Sequence, residues 1–293
     1  MWRRPWHSRR RRRPGLPTPR MAAEPRDIRI STASADIHCR VEGREDAPWV
    51  TCLHSLATNL HLWDDQAALL GRYFRVLRLD MRGHGQSSCA DAPFTVEDLG
   101  EDVVRIWDEL GIGRSAVLGL SIGGMIALVL GLDVPRRVSC VVAADCRADA
   151  PDPFVTMWTQ RKQLAQREGM ASVAAVTLPT WFTPSTLALQ PPFLTAVEEM
   201  IGSTSVAGYL GAAGALQKLA VRKRLPAMTR PTLFLVGADD GIHPQVMAEM
   251  QESTPGSTLT VVPKAAHLSN LEQPDAFADA ILPFLQSRAA QAS

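Results

Sequence analysis

Gly119-Leu120-Ser121-Ile122-Gly123 is the stretch of this chain best equipped for chemistry. An apolar run, Ser115 to Leu120, leads into it, and a second run with helical character, Met125 to Leu132, leaves it. A serine at a sharp strand-to-helix turn sits in a strained backbone conformation with its hydroxyl standing clear of the sheet. The residues two before and two after it must lack bulk, because chain passes close to chain there. A helix starting at Ile122 aims its free N–H groups and the positive end of its dipole at the serine oxygen. Such a serine is a nucleophile for carbonyl carbon, provided a base takes its proton and an acid orients the base. Downstream, Val236 to Pro244 carries Asp239, Asp240 and His243, and Lys264-Ala265-Ala266-His267 follows the last strand-like run. His243 lies in the acid's own loop and precedes a proline, which suits a surface role. His267 lies where an imidazole can reach back to Ser121.

These side chains need a scaffold that brings them together, and the hydrophobic pattern supplies one. Short β-type runs alternate with helical ones, the signature of a mainly parallel sheet with helices on both faces. Strands are predicted at Ile28–Thr32, Ile37–Glu42, Trp49–Leu53, Phe74–Leu79, Val117–Leu120, Val138–Ala144, Thr232–Val236 and Thr258–Val262. A helix is predicted from Val96 to Leu110 with Thr95 as its N-cap, and a closing helix from Pro274 to Leu285. Between Arg147 and Leu225 the β pattern vanishes. That segment is helical in character, with breaks expected at Pro179, Pro184 and Pro191-Pro192. It reads as a helical cap (residues 147–225) inserted into a core formed by 21–146 and 226–293, placed over the edge where open α/β sheets bind ligands. Met157, Trp158, Trp181, Phe182 and Phe193 give the cap an apolar lining, and Trp158 and Trp181 are its candidate substrate contacts.

Composition narrows the class. Apolar content of 46% and charged content of 21% are ordinary for a soluble globular enzyme. The net charge of +1 hides an asymmetry: residues 1–20 hold eight arginines and no acid, so removing those eight charges leaves −7 on the rest. An acidic body argues against a nucleic-acid surface. The Arg-rich tail is expected to be a disordered extension, and it lacks the apolar stretch of a secretory signal. Five cysteines without C-x-x-C pairing read as reduced thiols of a cytoplasmic protein, with Cys39, Cys52 and Cys140 acting as small hydrophobes inside strands. No apolar run reaches the ~18 residues of a membrane span. Neither an H-E-x-x-H motif nor a Cys/His cluster is present, so no metal or organic cofactor is expected.

His54-Ser55-Leu56, Asp80-x-Arg-Gly-x-Gly-x-Ser87, Gly119-x-Ser-x-Gly123, Gly237-x-x-Asp240 and His267 together resemble the α/β-hydrolase family from about residue 27 to 287. The resemblance implies the chain order serine, acid, histidine, and a catalytic Ser121–His267–Asp240 set, with Asp239 as the alternative acid. It implies an oxyanion hole formed by the backbone N–H groups of Ile122 and Leu56, Ser55 replacing a glycine common in the family. His54 and the Asp80–Ser87 loop read as scaffold. Within the family the chain is most similar to 3-oxoadipate enol-lactonases, on His54 to Asp64, Met157-Trp158 and Trp181-Phe-Thr-Pro184. The substrate so implied is a small ester or lactone, specifically a carboxylated enol-lactone from aromatic-compound breakdown. Ala144-Asp-Cys-Arg-Ala-Asp149 departs from the Asn-Thr-Ala-rich segment of those enzymes. An anionic substrate needs a cation, and Arg147 is the candidate, with Arg161 and Lys162 behind it; for these two a solvated surface charge is the favoured reading. A carbon–carbon bond hydrolase, a cofactor-free perhydrolase and a non-catalytic ligand receptor share the frame. Ser121 argues against dehalogenases and epoxide hydrolases, which need an aspartate nucleophile.

Overall fold

Eight predicted strands become eight observed ones in the computed structural model, which describes residues 23–89 and 93–289. The Arg-rich tail at 1–20 lies outside the described residues. The strands are β1 (Ala23–Ser31), β2 (Asp36–Gly43), β3 (Trp49–Leu53), β4 (Arg75–Leu79), β5 (Ser115–Leu120), β6 (Val138–Ala144), β7 (Thr232–Gly237) and β8 (Thr258–Val262). Their order in the sheet is β1-β2-β4-β3-β5-β6-β7-β8, with β2 antiparallel to both neighbours and the other pairings parallel. Successive strands step one way from β3 to β4 and the other way from β5 to β8. The reversal falls between β3 and β5, and open α/β sheets place their ligands at the carboxyl ends of the strands beside such a switch point.

Burial explains which elements form this centre. Every residue of β5 and β7 is buried, as expected of strands covered on both faces. The helices of the core are α1 (Asp64–Leu70), α2 (Val96–Glu109), α3 (Ile122–Asp133), α9 (His243–Glu252), α10 (Ser269–Glu272) and α11 (Pro274–Ala289). Helix α2 begins at a capping box in which Thr95 and Asp98 serve each other's backbone N–H groups. Its inner face buries Leu99, Val103, Ile106 and Trp107, each such side chain contributing about 1.5–3 kcal/mol. The Trp107 indole N–H donates to Thr51 Oγ1, so that burial leaves no orphaned donor there. Helix α3 is apolar all round and buried from Ile122 to Gly131, which fixes the serine turn at its head between sheet and core. Cys39, Cys52 and Cys140 are buried free thiols in β2, β3 and β6, each pushed up to about 12 chiefly by burial.

Five α-helices stand between β6 and β7: α4 (Asp152–Glu168), α5 (Met170–Trp181), α6 (Pro184–Leu189), α7 (Pro192–Ser203) and α8 (Val206–Gln217). A single antiparallel bridge, Asp149 to Ala220, ties the two ends of this insertion together. Pro184 and Pro192 open α6 and α7, where a missing N–H costs nothing. Pro179, in contrast, does not break the chain. It lies within α5, near its C-terminal end, where the loss of one intrahelical hydrogen bond is tolerated. The closing helix also continues past Leu285 to Ala289. Among the described residues no helix is long and apolar enough to cross a membrane.

Candidate active site

Ser121 occupies the single residue between β5 and α3, at φ 57° and ψ −119°. This left-handed conformation is strained for a non-glycine residue and survives only where the surroundings over-determine it. Two glycines permit those surroundings. A Cβ on Gly119 would fall 2.0 Å from the Gly123 carbonyl oxygen, and one on Gly123 would fall 2.1 Å from the Leu53 carbonyl oxygen. The turn therefore closes only with hydrogen at both positions, and it presses α3 against the end of β3.

The histidine loop after β8 brings His267 to the serine. His267 Nε2 lies 2.9 Å from Ser121 Oγ, and His267 Nδ1 lies 2.9 Å from Asp240 Oδ2. These bonds span 146 and 27 residues of sequence, so tertiary packing alone makes them. A close approach at Gly237 helps, since a Cβ there would sit 2.2 Å from the Ala266 carbonyl oxygen. The structure separates the two candidate acids cleanly. Asp240 is buried and faces His267, whereas Asp239 is exposed and uses its backbone N–H on Ala265.

Burial acts to raise the Asp240 pKa, but the charge of His267 and hydrogen bonds from His243 and His267 outweigh it, leaving the carboxyl well below the usual range. His243 therefore does more than the surface role expected of it. Its Nδ1 lies 3.2 Å from both Asp240 Oδ2 and the Asp240 carbonyl, and its ring centroid lies 5.3 Å from that of His267. Sequence alone could not reveal this, because the contact depends on the first turn of α9 folding back over the acid. Asp240, His243 and His267 present one donor atom each within 4.8 Å of one another, the spacing of a metal-ligand cluster. Those atoms are joined to each other by the hydrogen bonds just described.

The two expected oxyanion donors lie at the head of α3 and in the loop after β3. Ile122 is the first residue of α3, so its N–H has no intrahelical acceptor and points out of the helix end. Leu56 and Ser55 are buried in the loop after β3, followed by Ala57 at φ 57°. Below them His54 is fully buried: its Nδ1–H donates to the Ser55 carbonyl at 2.7 Å, and its Nε2 accepts the Met81 N–H at 2.9 Å. Burial lowers its pKa, which favours the neutral ring this pairing requires. In the Asp80–Ser87 loop, Asp80 accepts the Leu60 and Gln86 N–H groups, while Arg82 pairs with buried Asp102. The first arrangement fastens this loop to the one after β3, and the second ties it to α2.

The residues expected to line a cap divide. The Trp181 ring lies 5.8 Å from the His267 ring, at the site itself. Trp158 packs on Phe154 and Tyr209 in the helical segment between β6 and β7, and among the described residues its buried indole N–H has no partner. Arg147 is buried and engaged: Nε donates to the Asp149 carbonyl at 2.6 Å, a second nitrogen pairs with Asp149 Oδ1 at 2.9 Å, and the guanidinium lies over Phe154. Arg161 and Lys162 are half-buried and hydrogen-bonded within the helical segment. Arg161 donates to Thr177 and the Val176 carbonyl, and Lys162 to Gln217.

The family model described as the alpha/beta hydrolase fold matches residues 48–274. The chain belongs to the α/β-hydrolase family. The hydrolase is 32% identical to 3-oxoadipate enol-lactonase 2 of Acinetobacter baylyi, over 82% of this chain and 89% of that one. It is 28% identical to a pimeloyl-[acyl-carrier protein] methyl ester esterase of Pectobacterium atrosepticum, over 86% of this chain and the whole of that one. The crystal structure of the enol-lactonase from Burkholderia xenovorans LB400 superposes with a TM-score of 0.84 at 31% identity, covering 88% of the hydrolase and 100% of its neighbour.

Proposed function

We propose that this hydrolase cleaves a small ester or lactone through an acyl-enzyme on Ser121, and that its substrate is a carboxylated enol-lactone of the 3-oxoadipate type. The observation that carries the reading is the unbroken hydrogen-bonded chain from Ser121 Oγ through His267 to Asp240. His267 Nε2 accepts the serine proton as Oγ attacks the carbonyl carbon, and Asp240 stabilises the imidazolium that forms. The N–H groups of Ile122 and Leu56 receive the developing oxyanion. His267 then returns its proton to the leaving oxygen. Water, deprotonated by the same imidazole, attacks the acyl carbon and frees Ser121. In a lactone the leaving oxygen stays tethered to the acyl group, so the product is a single open-chain acid. The enol-lactonases among its relatives support the substrate class, and on this reading the protein acts in aromatic-compound breakdown in the cytoplasm.

A panel of p-nitrophenyl acetate, neutral lactones and 3-oxoadipate enol-lactone tests the substrate. Turnover of the carboxylated lactone is expected to exceed that of the neutral compounds by at least an order of magnitude in kcat/KM. A preference for neutral esters would leave the mechanism standing and make the protein a general esterase. Asp149 favours that second reading, because it already neutralises Arg147. The role of Arg147 is separable: Arg147→Ala should raise KM for the carboxylated lactone about tenfold and spare neutral esters. Equal losses on both, with a lowered Tm, would assign Arg147 to holding the base of the cap through Asp149.

A further inference from the structure

Asp145 follows β6 directly and is wholly buried, at φ 46°. Asp tolerates this left-handed geometry better than most residues. Its carboxyl touches both loops that carry the site. Oδ1 accepts the Gly237 N–H at 2.7 Å, at the root of the Asp240 loop, and Oδ2 accepts the Ser269 hydroxyl at 2.5 Å, two residues beyond His267. Its own N–H donates to Leu235 of β7 at 2.8 Å. One side chain thus spans 92 residues to one loop and 124 to the other.

We propose that Asp145 is a positioning residue: its carboxyl latches the Asp240 loop to the His267 loop and so holds the acid against the imidazole. The inference rests on the serine-hydrolase reading of the site.

The latch works as an un-ionised carboxylic acid. Asp240 and Asp145 share one buried enclosure, and a low-dielectric site does not hold two neighbouring carboxylates in the charged form. Asp240 has two imidazoles against it, so the charge resides there. The titratable groups facing Asp145 are Asp240 and His267 from the two loops and Cys146 beside it on the chain, whose thiol burial and the two acids push far up. Burial and then the Asp240 charge push the Asp145 carboxyl well above the usual range, against the opposing pull of His267 and its own hydrogen bonds. The neutral form keeps both contacts with the second one reversed: the carbonyl oxygen still accepts from Gly237, and Oδ2–H donates to Ser269 Oγ in place of accepting its hydroxyl. An asparagine amide can do the same, with oxygen toward Gly237 and NH₂ toward Ser269. The site therefore pairs two acids whose surroundings drive them to opposite protonation states, a recurring arrangement in active sites.

The test compares Asp145→Asn and Asp145→Ala with wild type in full-length protein, with Ser121→Ala as the control for serine-dependent hydrolysis. Asp145→Asn should retain kcat within about threefold and leave the acid limb of the kcat/KM profile in place. Asp145→Ala should lower kcat on the order of 10–100-fold with KM nearly unchanged, since the imidazole–acid register loosens while the substrate pocket stays. Hydrogen-exchange protection of the Gly237 amide should persist in Asp145→Asn and fall in Asp145→Ala. Infrared difference spectra of wild type minus Asp145→Asn at neutral pH should contain the C=O stretch of a protonated carboxyl. Were Asp145 ionised, Asp145→Asn would remove an anion beside His267, lower the imidazole pKa and move the acid limb to lower pH. That shift, an absent protonated-carboxyl band, or an Asp145→Ala variant with wild-type kcat would each overturn the proposal. If Asp145→Ala does not fold, the asparagine variant's pH profile and the infrared band still decide the question. Activity persisting in Ser121→Ala would instead sink the serine-hydrolase reading, while the infrared and exchange results would continue to judge the latch.

Discussion

Ser121→Ala is expected to lower kcat/KM on any substrate the hydrolase turns over by on the order of 10⁴- to 10⁶-fold. Removing Oγ deletes the atom that forms the acyl-enzyme, so no rearrangement of His267 restores the route. Catalysis left above water would come from the N–H groups of Ile122 and Leu56, which the substitution does not touch. The fold should survive, because alanine is no worse than serine at φ 57° and both Gly119 and Gly123 remain. Steady-state kinetics, a search for burst-phase release of p-nitrophenol, and a Tm within 2–3 °C of wild type (about 1 kcal/mol at this chain length) check the expectation. Residual activity above about a hundredth of wild type would remove Ser121 from the role of nucleophile.

Asp240→Asn should be almost as damaging, lowering kcat on the order of 10³- to 10⁴-fold, while Asp239→Asn stays near wild type. The cause is a tautomer. With a carboxylate at 240, the His267 Nδ1–H has an acceptor at 2.9 Å and Nε2 is left bare toward Ser121. An amide that turns its NH₂ toward Nδ1 reverses this, puts the proton on Nε2 and leaves the serine without a base. The same substitution reports on stability. A carboxyl held below its ordinary value stabilises the fold above that value, and the contribution vanishes as pH falls through the lower folded-state pKa. Wild type should therefore lose stability on acidification below about pH 4 more steeply than Asp240→Asn. Equal acid limbs in the two unfolding profiles, or full activity in Asp240→Asn, would return the role of acid to another residue.

The sequence alone determined the local features of this protein. The eight strands, the serine turn with its two obligatory glycines, and the helical stretch between β6 and β7 follow from periodicity, β-branched content and the space a turn requires. Each of these depends on residues only a few positions apart, so the chain carries its own instructions for them. Local cues also misled where tertiary context prevailed, as at Pro179, which packs within the last turns of α5 instead of ending it. The partners of buried polar groups were another matter. That Asp240 and not Asp239 meets His267, that His243 folds back on the same carboxylate, that Asp149 occupies Arg147, and that Asp145 joins Gly237 to Ser269 are decided by how loops from three strand ends converge. A loop side chain shows no periodicity, and a one-residue shift turns it from the site to solvent. Only the packed sheet fixes that choice, because burying a carboxylate without a partner costs more than any local preference of the loop can offset.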